Sequence, residues 1–312
     1  GWVQLPEFPA WGGNVIRLFL CPFDQQGNAY AAGRPLSERL LASLASRQPV
    51  IDWCLAHDVH VILCFSTFLL WPVVKNWPEE DGRYLWTDAA AQQEVADAWA
   101  ALARKFKGQA GILFELMNEP QSHTPSSPKV DEPLPNGALN SVYAASVAAI
   151  RAVDSERWIA IAPEWHDAGN LGALTPIADP RLLVAIHFYG PQEFTHQGVF
   201  DKASAGTVPY PSASPRGTKD FLQSQLQSAR DYQLAHGQRI IVTEFGASRS
   251  APAAGRANWT RDVYSLIEAW GWDSVIFRYE AGMWPECFRE SWALEHSEIE
   301  QTCRDVFAQN LV

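Results

Sequence analysis

Short, continuous apolar runs recur along the chain and alternate with longer stretches of helical periodicity. Because their apolar positions are consecutive, these runs are typical of parallel strands that are buried on both faces. The predicted strands are 14–20, 60–65, 111–117, 158–163, 183–189, 239–245 and 274–280. The predicted helices lie near 37–57, 88–107, 137–153, 218–236, 255–270 and 297–309. Asp88, Thr218 and Ser297 are the expected N-caps of three of them.

Repeated strand–helix units indicate an α/β protein with a parallel sheet and right-handed crossovers, here a (β/α)8 TIM-type barrel. The 312 residues suit one such barrel, which takes about 250 residues, and no stretch looks like a linker. Residues 1–312 are therefore expected to form a single domain. The segment before Asn14, GWVQLPEFPAWGG, is a poor strand, so the barrel is expected to be incomplete at its first strand. An open barrel leaves unpaired strand edges, which a second copy of the chain could fill as a homo-oligomer.

Composition and charge narrow the range of partners. Hydrophobic residues make up 47% of the chain and charged residues 19%, which is enough apolar material for a large core. The formal net charge of −11 argues against nucleic acid, since an acidic protein repels phosphate backbones. No apolar run reaches the roughly 18 residues of a membrane span. The chain starts at Gly1 and shows no signal peptide, so its location cannot be read directly from this sequence.

Motifs for metals and cofactors are missing from the sequence. The five cysteines include no C-x-x-C pair, and His57 and His60 form only a weak ligand pattern. There is no P-loop, no dinucleotide fingerprint and no G-x-S-x-G nucleophile motif. We therefore predict no metal and no cofactor.

Tryptophan is the anomaly of the composition, with 14 residues, several of them in segments that are predicted to be loops. For any single tryptophan, packing in the core and binding of a ligand are both open. A flat indole ring can cover the C–H face of a pyranose while its N–H finds a polar partner, so loop tryptophans also suit sugar binding. The loop tryptophans are Trp71, Trp77, Trp86, Trp165 and Trp284.

Two apolar strands end in a glutamate. The segment ILFELMNEP places Asn118 and Glu119 at the end of one strand, and IIVTEFG places Glu244 at the end of another. Barrel enzymes keep their reacting groups at the C-terminal ends of the strands, so the two carboxyl groups are expected to face each other. A carboxyl pair suits glycosidic cleavage, in which one group protonates the leaving oxygen and the other attacks the anomeric carbon. The alternative, for either glutamate alone, is a structural pair with a neighbouring cation.

Three further residues support this interpretation. Arg17 lies inside an apolar strand, where a buried guanidinium needs a carboxylate partner. His187 and Tyr189 alternate at the end of the strand AIHFY, so they are expected to point the same way. Taken alone, His187 is better explained as a satisfied core histidine.

The ordered set of NVIRL, the N-E-P strand, the H-x-Y strand and T-E-F-G resembles glycoside hydrolase family 5, the cellulase family of clan A. The resemblance spans most of the chain. It implies Glu119 as acid/base and Glu244 as nucleophile. It implies that Asn118 binds the sugar 2-hydroxyl and that Arg17 and Tyr189 hold the nucleophile ionised. The −1 subsite would include His187.

The chain departs from the family pattern at two strand ends. Family members usually carry a histidine at the end of strand 3, where this chain has Ser66 or Thr67. The usual tryptophan at the end of strand 8 is replaced by Tyr279, with Trp284 five residues on as the expected substrate-binding residue. These departures bear on the −1 subsite and the substrate, and not on the glutamate pair.

The resulting hypothesis is a retaining endo-β-1,4-glucanase that hydrolyses β-glucan by double displacement. Its partner would be a β-linked oligosaccharide or polysaccharide, and its location would be secreted or periplasmic. Two alternatives stay open: a retaining hydrolase of another β-glycan, such as mannan or mixed-linkage glucan, and a carbohydrate-binding pseudoenzyme. A retaining mechanism predicts carboxyl groups roughly 5–5.5 Å apart.

Overall fold

The computed structural model describes residues 5–24, 27–66, 68–69, 75–78, 84–122, 133–199, 201–277 and 300–308. The strands are β1 Val15–Leu20, β2 His60–Phe65, β3 Phe68–Leu69, β4 Lys75–Asn76, β5 Ile112–Glu115, β6 Ile159–Ile161, β7 Leu182–Phe188, β8 Arg239–Phe245 and β9 Asp273–Ile276. The α-helices are α1 Leu36–Ala45, α2 Gln48–Ala56, α3 Ala89–Phe106, α4 Ala138–Arg151, α5 Gln192–Thr195, α6 Lys219–His236, α7 Ala253–Ala269 and α8 Glu300–Phe307. Short 3-10 helices cover Leu5–Trp11, Glu164–His166, Ala168–Ala173 and Lys202–Ser204.

The described residues divide into two compact units, of which the first is 15–185. Its parallel strands follow the order β1-β2-β5-β6-β7, and β3 with β4 forms a separate antiparallel ribbon. Helix α3 packs against both α1 and α4. Strand β2 lies between β1, which carries Arg17, and β5, which carries Glu115. In the register, Arg17 is opposite Ile62 of β2, and Glu115 is opposite Cys64 of β2.

The second unit comprises residues 1–14 and 186–312, and contains the end of β7 together with β8 and β9. Strands β8 and β9 pair in parallel, and α6 and α7 pack beside them. The 3-10 helix Leu5–Trp11 packs against α8, where the Arg304 guanidinium carbon lies 3.8 Å from the centroid of the Trp11 ring. Residues 5–11 are thus helical, as expected from a segment that reads poorly as a strand.

The predicted alternation of strands and helices is confirmed, with all seven predicted strands present in the parallel sheet. Two of the expected N-caps are also confirmed: the side chains of Asp88 and Thr218 accept from the backbone N–H groups of Ala91 and Phe221. The third, Ser297, lies outside the described residues.

The prediction of one helix over 37–57 is wrong. The structure has α1 and α2 instead, separated at Ser46 and Arg47, and Pro49 lies in the first turn of α2. Proline has no backbone N–H to donate and suits a helix start, so it favours a new helix over the continuation of an old one. Among the helices of the described ranges, none is both long and apolar enough to cross a membrane.

Candidate active site

A buried ion pair joins the first strand of the sheet to β5. Arg17 on β1 donates from Nη2 to Glu115 Oε1 at 3.0 Å and from Nε to Glu115 Oε2. The Glu115 side chain is fully buried and that of Arg17 is almost so. The planar guanidinium fork matches both carboxylate oxygens, which fixes the geometry of the pair as well as its charge. Glu115 is therefore a carboxylate partner of the kind that a guanidinium inside an apolar strand needs.

The charge state of Glu115 follows from its neighbours. Burial by itself raises the pKa of a carboxyl group, but the positive charge of Arg17 and a hydrogen bond from His166 outweigh it. Together they hold the pKa of Glu115 well below its usual range. Glu115 is thus a permanent carboxylate at neutral pH, which makes it an acceptor for the groups that surround it.

Arg17 also fixes the orientation of the Asn118 side chain. Its Nη2 donates to Asn118 Oδ1 at 2.8 Å, and Asn118 is itself buried just after β5. The backbone N–H of Asn118 donates to Phe65 O at 2.7 Å, which ties the end of β5 to β2. Because Oδ1 accepts from the guanidinium, the Nδ2 donor is the group that Asn118 can offer to a sugar hydroxyl.

Glu119 has an unusual backbone conformation. Its φ is +39°, in the left-handed region that side chains other than glycine, asparagine and aspartate rarely adopt. The N–H of Glu119 donates to His166 Nδ1 at 2.9 Å, and His166 Nε2 lies 2.8 Å from Glu115 Oε1. His166 is completely buried, so its hydrogen bond with the backbone N–H of Glu119 lies in the protein interior.

The loop after β6 supplies His166 and shares this strain. Trp165 and His166 have φ values of +60° and +54°, and the Trp165 N–H donates to Pro120 O at 2.9 Å. The Trp165 side chain is 41% exposed, which is rare for a large apolar residue. The chain on both sides of Glu119 is thus tied to the Glu164–His166 turn.

In the second unit, Tyr189 and His187 surround Glu244 at the end of β8. The Tyr189 hydroxyl donates to Glu244 Oε2 at 2.6 Å, and His187 Nδ1 lies 3.6 Å from the same oxygen. Glu244 and His187 are buried. The phenol donates to one carboxylate oxygen and thereby fixes the orientation of the Glu244 carboxyl group.

The backbone around Tyr189 is held by its own network. Thr195 Oγ1 donates to Tyr189 O at 2.6 Å, and the Trp259 indole N–H donates to Gly190 O at 2.8 Å. The Tyr189 ring makes an edge contact with Phe277, at the end of β9. These contacts hold the backbone that carries Tyr189 and place Phe277 against its ring.

Gly246, two residues after Glu244, is explained by the close approach of the next strand. A Cβ atom at this position would lie 2.1 Å from Phe277 O, which no real side chain tolerates. The Phe277 N–H donates to Phe245 O at 2.7 Å, so the two strand ends are pulled together here. The glycine of the T-E-F-G motif therefore lets β9 close against the strand that carries Glu244.

The structure gathers most of the predicted site residues in these two clusters. Arg17, Asn118 and Glu119 belong to the first, and His187, Tyr189 and Glu244 to the second. Of the residues at the two departures from the family pattern, Ser66 is buried after β2. The remaining three positions, Thr67, Tyr279 and Trp284, lie outside the described residues.

The loop tryptophans differ in burial. Trp77 and Trp86 are buried. The Trp86 indole N–H donates to Gln121 O at 2.8 Å, so Trp86 stabilises the backbone that follows Glu119. Trp165 is the exposed member of the set among those described. Trp71 and Trp284 lie outside the described residues.

Sequence reasoning missed Glu115 and His166. Glu115 could have been found, since an acidic residue that interrupts the apolar strand ILFEL needs a buried cation, and Arg17 needed a carboxylate. His166 gave no such signal, because it lies in a turn after β6 and its role depends on the left-handed backbone of three residues. No local pattern predicts that conformation.

Comparison with known proteins places the chain in a family. Residues 5–279 match the sequence model of Cellulase (glycosyl hydrolase family 5), so the chain belongs to this family. Endoglucanase C of Acetivibrio thermocellus is 27% identical over 223 residues, which cover 63% of this chain and 62% of that protein. Endoglucanase C of Evansella cellulosilytica is 26% identical over 250 residues, 77% of this chain and 26% of that protein. The matched region therefore spans less than two thirds of either relative.

Solved structures show the same fold. Cel5A of Thermotoga maritima, solved in complex with cellobiose, superimposes with a TM-score of 0.72 at 19% identity, over 97% of this chain and 89% of that one. A family 5 xyloglucanase from Paenibacillus pabuli gives a TM-score of 0.72 at 18% identity, over 99% and 90%. The prediction of a (β/α)8-type barrel is confirmed by these neighbours together with the parallel strands described above.

Proposed function

We propose that this chain is a retaining endo-β-1,4-glucanase in which Glu244 is the nucleophile and Glu119 the acid/base. The observation that carries the proposal is the 2.6 Å hydrogen bond from the Tyr189 hydroxyl to Glu244, a buried carboxylate at a strand end. A carboxylate oriented in this way suits attack on an anomeric carbon. Membership of the cellulase family and the endoglucanase relatives support the reaction class.

The first step forms a glycosyl-enzyme. A Glu244 oxygen bonds to the anomeric carbon while the glycosidic C–O bond breaks, and Glu119 gives its proton to the departing oxygen. In the second step Glu119, now a carboxylate, takes a proton from a water molecule. The water oxygen bonds to the anomeric carbon and Glu244 leaves as a carboxylate. Two inversions at one carbon give overall retention.

The surroundings of each glutamate suit these opposite roles. Tyr189 donates to Glu244 Oε2 and so orients the carboxyl group that is to attack the anomeric carbon. The Glu119 backbone is held by His166 and by the Pro120–Trp165 contact, which fixes where its side chain starts. Asn118, oriented by Arg17, offers an amide donor for the sugar 2-hydroxyl, an interaction that strengthens in the transition state.

A second β-glycan is the competing substrate class. Solved structures similar to this chain include a xyloglucanase and a Thermotoga maritima Cel5A complex with mannotriose. Both substrates have β-linked backbones that differ from cellulose in one hydroxyl or in side branches, which an open cleft distinguishes through few contacts. Polymers of this size do not enter cells, so we further propose that the protein acts outside the cytoplasm.

The test is release of reducing ends from carboxymethylcellulose, mannan and lichenan by the purified protein. We expect the highest kcat/KM on carboxymethylcellulose, with a rapid fall in viscosity because an endo-acting enzyme cuts internal bonds. Highest activity on mannan would select the other substrate class, and no turnover on any of the three would indicate a binding protein. NMR of the first product should show the β-anomer, and an initial α-anomer would contradict retention.

Trp165→Ala is expected to weaken binding of long substrates. Trp165 is exposed beside Pro120, and Glu119 protonates the leaving group, so the ring is expected to stack on sugars of the leaving-group side. Loss of the ring should raise KM for cellohexaose on the order of 10-fold and leave KM for an aryl β-cellobioside unchanged, since its leaving group carries no sugar. Trp53→Ala, which removes a half-buried ring from α2, is the matched control. Equal changes in KM for both substrates would contradict the assignment.

A further inference from the structure

Four residues of the first unit form a continuous chain of polar contacts that ends on a peptide group. Arg17 binds Glu115 through both carboxylate oxygens, Glu115 Oε1 lies 2.8 Å from His166 Nε2, and His166 Nδ1 lies 2.9 Å from Glu119 N. Both central members, Glu115 and His166, are fully buried. Neither side chain can reach a polysaccharide, and the contact through which His166 can influence the reaction is the one with the backbone N–H of Glu119.

The directions of these hydrogen bonds follow from the groups involved. A backbone N–H can only donate, so His166 Nδ1 accepts and carries no proton. The ring proton is therefore on Nε2, which donates to the permanent carboxylate of Glu115. Arg17 neutralises that carboxylate, and the whole chain fixes one tautomer and one ring orientation for His166.

The contact matters because of the backbone that it holds. Glu119 has φ +39°, and His166 itself has φ +54°. Strained conformations of this kind persist only where the surrounding structure over-determines them. The N–H of Glu119 is held by a buried ring, and the next residue, Pro120, is held through its carbonyl by Trp165. The starting direction of the Glu119 side chain depends on both contacts.

We propose that His166 is a positioning residue for the acid/base. By accepting a hydrogen bond from the backbone N–H of Glu119, it orients the Glu119 side chain towards the leaving oxygen. This inference rests on the proposed function of Glu119. A displacement of about 1 Å in a reacting group lowers rates about 10²-fold, so the effect of losing the contact is measurable.

Two substitutions separate the halves of the contact. In His166→Asn, the side-chain oxygen lies near the position of Nδ1 and can still accept from Glu119, but the contact with Glu115 is lost. In His166→Gln, the side-chain amide nitrogen reaches the position of Nε2 and can still donate to Glu115, but the acceptor for Glu119 is lost. The two variants are of similar polarity, and the matched control is His236→Gln, on the exposed end of α6.

The readout is kcat/KM on phenyl β-cellobioside and on 2,4-dinitrophenyl β-cellobioside. The phenyl leaving group needs a proton, whereas the dinitrophenolate leaves without one, and kcat/KM reports the first irreversible step. We expect His166→Gln to lower the phenyl value by about 10²-fold and the dinitrophenyl value by less than about 3-fold. His166→Asn should keep the phenyl value within about 5-fold of wild type. The ratio of the two values is independent of the folded fraction.

If kcat/KM fell equally in His166→Asn and His166→Gln, or by the same factor on both aryl substrates, the positioning role would be overturned and a structural role would be left. A measurement on the wild type gives an independent check: ¹⁵N NMR of the assigned His166 ring should show the proton on Nε2, and a proton on Nδ1 would overturn the proposal. Failure of the proposed function has a different signature, namely wild-type protein that turns over neither substrate, whatever the state of His166.

Discussion

Replacing Glu244 with glutamine is expected to abolish turnover on every β-glycoside, by about 10⁴-fold or more in kcat/KM. The amide has the shape of the carboxylate but does not attack an anomeric carbon, and no leaving group removes the need for a nucleophile. Phenyl and dinitrophenyl β-cellobiosides should therefore be affected alike. The measurement is phenol release under initial-rate conditions.

Glu268→Gln, on the exposed face of α7, is the matched control and should behave as wild type. Azide supplies a positive test: added to Glu244→Gly it should attack in place of the missing carboxylate and give an α-glycosyl azide, because only one inversion occurs. Two results would show that Glu244 is not the nucleophile: undiminished turnover of the dinitrophenyl substrate by Glu244→Gln, or formation of a β-glycosyl azide by Glu244→Gly.

Glu119→Gln is expected to produce a loss that depends on the leaving group. Without an acid, kcat/KM on phenyl β-cellobioside should fall about 10²- to 10⁴-fold, the usual contribution of general acid catalysis. On the dinitrophenyl substrate kcat/KM should change little, while kcat falls because water is no longer activated in the second step. A burst of dinitrophenolate followed by a slow steady state is the expected time course.

Azide should restore kcat in Glu119→Gln, since it attacks the glycosyl-enzyme without a general base, and the product should be a β-glycosyl azide. The product distinguishes the two glutamates, because the same reagent gives opposite anomers in the two variants. An α-azide from Glu119→Gln, or equal losses on both aryl substrates, would show that Glu119 is not the acid/base.

The order of strands could be predicted from sequence because each buried parallel strand is a run of apolar residues. All seven runs correspond to strands of the parallel sheet, and the ends differ by a few residues only. The helix at 37–57 was predicted as one element because its apolar periodicity continues across Ser46 and Arg47. The break is caused by Pro49, whose effect on the backbone outweighs the pattern.

The positions of the candidate site residues could be predicted where these residues coincide with strand ends. Five of these residues follow or end an apolar run, so each lies at or just after the C-terminal end of its strand: Asn118, Glu119, His187, Tyr189 and Glu244. The partner of Arg17 was harder to assign. The family resemblance pointed to the nucleophile, whereas the contacts described above are with Glu115 and Asn118. A role of Arg17 in holding Glu244 ionised stays a prediction.

His166 lay beyond prediction for a physical reason. Its contact with Glu119 joins residues 47 positions apart and depends on left-handed φ values at both. Backbone conformations of this kind are set by tertiary contacts and oppose local preference, so they leave no trace in periodicity or propensity.

The left-handed φ of Glu119 also has a consequence for thermal stability. At this one residue, the backbone conformation lowers stability, while the side chain is the one that the proposed reaction needs. Such a conformation costs about 1–3 kcal/mol in a residue other than glycine, asparagine or aspartate. Asparagine at this position would relieve much of that strain and remove the proposed acid/base with it. Selection for a high melting temperature alone would therefore favour chains that have lost turnover, and screens for heat-resistant variants of this protein need to score product formation alongside melting.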